Sequence, residues 1–169
     1  MDERRAARPE DGAAMLGEAA CRYRSDEVCP EDLPMIAAEA LAAGADTPSL
    51  CELAGWPRTA DPRDIRDAFE RALDEAGVSL PDPDVARRHA LRRTAARLVA
   101  GELAPGGLAT DAWWEAQGET EAERALLALI PACECCAAYT LGLDQRTWER
   151  RLREAAHART AEPPVAPGC

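Results

Sequence analysis

Residues 61–77, DPRDIRDAFERALDEAG, place Ile65, Ala68, Phe69, Ala72, Leu73 and Ala76 at the three-and-four spacing of one helical face. Asp61 suits the N-cap. Pro62 suits the first turn, where its missing N–H had no partner, and Gly77 suits a left-handed exit. Residues 82–101, DPDVARRHALRRTAARLVAG, repeat that grammar with Asp82, Pro83 and Gly101. The short GVSLP connection at 77–81 predicts that the two helices lie antiparallel and share a seam.

Working outward, EDGAAMLGEAACRYR reads as a first helix that Gly12 and Gly17 weaken, after a frayed stretch at 1–9. LPMIAAEALAA forms a helix ended by Gly44, and Thr47–Pro48 open another that Gly55 stops. Beyond Gly101, Pro105, Gly106 and Gly107 mark a loop, and LATDAWWEAQ reads as a short helix with Trp113 facing inward. Thr120 and Glu123 make a capping box for ETEAERALLALI. Pro131 breaks that helix, and ACECCAAYT is expected to resume it. Asp144 caps a final helix whose Trp148, Leu152 and Ala155 line one face. The expectation is one helical domain over 1–160, followed by a disordered Pro-rich tail at 161–169. At an offset of 57, Leu41, Gly44, Pro48 and Trp56 fall on Leu98, Gly101, Pro105 and Trp113. Chance alignment in an Ala/Gly/Pro-rich chain accounts for this echo; a true duplication would give two stacked three-helix units.

Composition points the same way. The 169 residues are 47% apolar, mostly Ala and Leu, with one Phe and two Tyr, so helix formers dominate and strand formers are scarce. The fold class is all-α, an irregular bundle of six to eight short helices. Net charge is −11 and uneven: residues 1–84 hold 20 Asp/Glu against 9 Arg, whereas residues 85–169 hold 11 against 11. Such a surface repels phosphate backbones, which makes nucleic acid an unlikely partner; a solvated acidic face is its first reading, and a basic protein partner the alternative. Arg supplies all the basic residues other than His, a bias that fits GC-rich codon usage and carries no mechanistic weight. The N-terminus never reaches an apolar signal region, and the longest near-apolar stretch, ALLALIPAC, is too short for a membrane span. A cytoplasmic location is therefore expected, with the seven cysteines mostly reduced.

Cys133, Cys135 and Cys136 form the one dense run of metal-ligand side chains. A C-x-C-C run on one helix lacks the paired knuckles of structural zinc sites. Cys133 and Cys136 would share a face while Cys135 points elsewhere. Core packing is the first reading of this run, with zinc or thiol chemistry as the alternative and no other cofactor indicated. His89 and His157 lie far from the cysteines in sequence and read as surface residues. The basic run at 87–97 finds a ready counterpart in Asp64, Asp67, Glu70 and Asp74 of the preceding helix. Phosphate-binding loops, nucleophile elbows and zinc-protease motifs are absent, so no catalytic residue is assigned and the chain leans away from an enzyme.

Trp113 and Trp114 sit about 100° apart on a helix, so burying both requires packing on two sides. Ordinary core packing of both is the first reading; the alternative is one core and one partly exposed indole, with an exposed Trp114 as the pointer to a binding face. Together these features suggest a small, acidic, non-catalytic protein-interaction module of the adaptor, regulator or toxin-neutralising kind. Its candidate binding residues are Trp113, Trp114, Asp64, Asp67 and Glu70.

Overall fold

The computed structural model describes residues 8–163, so the expectations for residues 1–7 and 164–169 lie outside it. Among the described residues there are eight α-helices, four short 3₁₀ turns and no strand. The helices are α1 (Pro9–Arg24), α2 (Leu33–Ala42), α3 (Pro48–Ala54), α4 (Pro62–Glu75), α5 (Pro83–Val99), α6 (Glu121–Leu127), α7 (Ala137–Leu141) and α8 (Gln145–Ala161). The all-α irregular bundle is therefore the observed architecture. None of the described helices is long and apolar enough to cross a membrane.

By its contacts the described chain falls into two compact units, the first running to Ala86 and the second beginning at Arg87. In the first, α2 packs on α1, α3 and α4. Leu16, Leu33, Leu50, Leu53, Ile65, Phe69 and Leu73 are completely or almost completely buried there. Tyr23 meets Phe69 edge-on with centroids 5.3 Å apart, and its hydroxyl donates to Glu70 at 3.0 Å. Burial, reinforced by that bond, pushes the Tyr23 pKa up to about 12. Ser49, at the start of α3, donates both its backbone N–H and its hydroxyl to Glu75 in the last turn of α4. Those bonds hold the Glu75 carboxyl below its ordinary pKa.

The second unit has its own core of Leu91, Ala95, Leu98, Leu108, Leu126, Trp148, Leu152 and Ala156. Trp148 is fully buried and its indole N–H donates to the Leu129 carbonyl at 2.8 Å. That bond satisfies the polar end of the largest side chain in this core.

Local signals place the helix ends. Asp61, Thr47 and Asp144 accept the N-cap bonds of α4, α3 and α8, and Thr120 with Glu123 forms the reciprocal capping box of α6. The seam expected between residues 61–77 and 82–101 is replaced by two separate burials. The stripe of α4 belongs to the first core and Leu91, Ala95 and Leu98 of α5 belong to the second. The basic face of α5 is likewise served from within the second unit. Arg88 bonds Glu123 through Nε at 2.9 and 3.0 Å and also pairs with Glu119. Arg92 donates to the backbone carbonyls of Arg159, Thr160 and Glu162 at the end of α8, where helix carbonyls lack intrahelical partners.

Candidate functional site

Three features of the second unit bear on function: the cysteine run, the exposed aromatics and a buried charge cluster. The cysteines come after α6 in a stretch that departs from the expected helix. Pro131 is buried, Cys133 is extended (φ −152°, ψ 154°), Glu134–Cys136 make a 3₁₀ turn and α7 starts only at Ala137. Trp148 fastens Leu129 just upstream, and buried Ala137 with the bond from Thr140 Oγ1 to the Cys136 carbonyl (2.7 Å) anchors the downstream side. Glu134 accepts from Gln145 at 3.1 Å and lies so close to Gly106 that any Cβ there would collide with its carboxylate.

The extended residue and the tight turn after it bring all three sulfurs together. Cys133 Sγ is 2.7 Å from both Cys135 Sγ and Cys136 Sγ, and the latter two are 3.9 Å apart. Cys135 is thus a member of the cluster and not the outlier that a continuous helix implied. All three are free thiols, Cys135 exposed and the other two half-buried. Side-chain hydrogen bonding with Cys135 and then Cys136 lowers the Cys133 pKa. The same contacts raise Cys135 and push Cys136 up to about 11, so Cys133 carries the thiolate first. No His, Asp or Glu ligand atom among the described residues joins the group. The arrangement offers three soft donors.

Trp113 and Trp114 lie at the end of a 3₁₀ turn over Asp111–Trp113, not on an α-helix. Trp113 packs partly buried against the second core, whereas Trp114 is 82% exposed. Tyr139 on α7, which carries no signal in the sequence pattern, is 93% exposed. Trp114 and Tyr139 are the large aromatic side chains left exposed among the described residues. Asp64 and Asp67 stand exposed on α4, in the first unit, while Glu70 is engaged by the Tyr23 hydroxyl. The structure therefore distributes the five candidate binding residues over two units.

A buried ionic cluster is also present that sequence reasoning does not reveal. Glu123 and Arg159 are 0% and 1% exposed, with Arg159 Nη2 3.0 Å from Glu123 Oε1. Arg88 completes the pairing, and Glu123 further accepts from the backbone N–H of Glu119 at 2.9 Å and of Thr120 at 3.3 Å. Burial alone would raise the Glu123 pKa, but those backbone bonds and Arg88 outweigh it and hold the carboxyl below its ordinary value. Burial lowers the pKa of Arg159. Each charge has an opposite partner, and the cluster joins α5, α6 and α8; its work is to hold them together.

In the first unit, a shallow cavity of about 310 Å³ is lined by Arg22, Asp32, Met35, Ile36 and Arg58 among others, with Arg58 paired to Asp32 across it. His89 is half-buried on α5 and His157 exposed on α8.

No protein-family model, curated protein or solved structure matches this chain.

Proposed function

We propose that this chain is a small, acidic, non-catalytic protein-interaction module acting in the cytoplasm, with Trp114 as the apolar anchor for a partner of basic surface. The observation that carries this reading is the 82% exposure of Trp114 beside a Trp113 that is packed against the core. An indole held at the surface by a packed neighbour offers large apolar area with little side-chain freedom to lose, the character of interface hot spots. The charge pattern supports a basic partner. Residues 1–84 carry 20 acidic side chains against 9 Arg, and Asp64 and Asp67 are solvent-facing.

The test is a side-by-side capture from an extract of the native cells, using the full chain, Trp114→Ala, and a chain with Asp64 and Asp67 reversed to Arg. Loss of one basic protein from the Trp114→Ala eluate, with unfolding behaviour unchanged, supports the anchor. Weaker recovery with the charge-reversed chain, and with rising salt, supports the electrostatic part. Equal recovery by all three chains contradicts the reading.

A further inference from the structure

The sulfur cluster has no part in the proposed recognition through Trp114 and carries a separate inference. Two of its sulfurs, Cys135 Sγ and Cys136 Sγ, are already 3.9 Å apart. With metal–sulfur bonds of about 2.3 Å, two ligands of a trigonal ion stand about 4 Å apart, so this pair has the spacing of ligands sharing one ion. Only Cys133 has to swing outward from its 2.7 Å contacts to complete the triangle. A disulfide would single out one partner and strand the third thiol.

The donor set also selects the ion. Zinc favours four tetrahedral ligands, and structural zinc sites close that shell with protein side chains. Here no fourth Cys, His, Asp or Glu ligand atom among the described residues joins the three sulfurs. The nearest carboxylate in sequence, Glu134, is committed to Gln145 and seated against Gly106. Three thiolates without a hard or nitrogenous partner suit a soft ion of low coordination number, and among biological metals that is copper(I). The neighbouring bonds at Leu129 and Thr140 hold the segment on both sides, so the donors are positioned before the ion arrives.

We propose that Cys133, Cys135 and Cys136 form a three-sulfur binding site for copper(I). The test is an anaerobic titration of the reduced full chain with copper(I) delivered from a coloured chelator, in a Cys29→Ser, Cys51→Ser, Cys169→Ser background that limits competition from other thiols. The expected result is one copper(I) withdrawn per chain, retained against an excess of zinc(II), with Cys133, Cys135 and Cys136 becoming protected from alkylation together. Replacing any one of the three by Ser should weaken uptake roughly tenfold or more. Cys135 is exposed, so Cys135→Ser leaves the core intact and remains informative if a half-buried position proves structurally sensitive. Absence of uptake, uptake that survives all three substitutions, or displacement of copper by zinc would each overturn the assignment.

Discussion

Gly12 is buried where α1 passes the chain beyond α2, and a Cβ at that position would overlap the backbone of Ala45. Gly17, five residues along the same helix, has open space around it. The two glycines look equivalent in sequence, each a weak point in a helix, because the difference between them lies in a segment more than thirty residues away. Gly12→Ala should destabilise by about 1–3 kcal/mol through overpacking, whereas Gly17→Ala should stabilise by about 0.5–1 kcal/mol through helix propensity. Urea unfolding of the pair against the parent chain checks both signs. Glu123 teaches the same lesson in charge. Its role in the capping box is legible because that motif is local, but Arg88 and Arg159 lie far along the chain and resemble any other Arg in an Arg-rich helix. Removing the carboxylate leaves Arg159 buried without its counter-ion, so Glu123→Ala should cost about 3–5 kcal/mol. Because the folded-state pKa of Glu123 is depressed, its contribution is complete above the unfolded-state value of about 4.3. It then disappears as pH falls through the lower folded-state value, where the native carboxylate must take up a proton. Stability measured from neutral to acid should therefore fall more steeply for the parent chain than for Glu123→Gln.

At the level of elements, the ends of helices are readable in the sequence and the segments between them are not. Asp61, Thr47, Thr120 and Asp144 all cap as their spacing implies, because a side chain bonding a backbone N–H two or three residues on needs no tertiary context. Asp144→Ala should accordingly lower stability by about 1 kcal/mol, with Asp144→Asn retaining most of it; thermal unfolding of the two variants beside the parent chain checks this. The Asp144 carboxyl is held below its ordinary pKa by bonds from the Thr147 hydroxyl and N–H, consistent with a working cap. Residues 111–114 and 131–136 are harder. Pro131 announces a break but not the geometry beyond it, and the extended Cys133 with its 3₁₀ turn is set by contacts at Leu129, Gly106 and Gln145. A helical reading scatters the sulfurs; the actual turn gathers them. For Trp113 and Trp114 the helix type differs from expectation, and in place of core packing of both, one indole packs and the other is exposed, since adjacent residues point in different directions.

For the whole molecule, the all-α class is set by composition, because an Ala- and Leu-rich chain with few β-branched residues has little to build a sheet from. The division into two compact units is not visible there: residues 61–77 and 82–101 have matching grammar, yet their stripes serve different cores. Amphipathic periodicity says that a face is buried and is silent about which partner buries it. The uneven charge, by contrast, is a property of sequence alone. An acidic first half and a solvent-facing indole in the second unit are the features on which the proposed recognition rests. The decisive measurement is the affinity of the captured basic partner for the full chain and for Trp114→Ala, determined at low and physiological salt. A loss of roughly 2 kcal/mol or more on truncating the indole, together with weaker binding at higher salt, is the expected result. Identical, salt-independent affinities for the two chains would contradict recognition through Trp114 and the acidic surface.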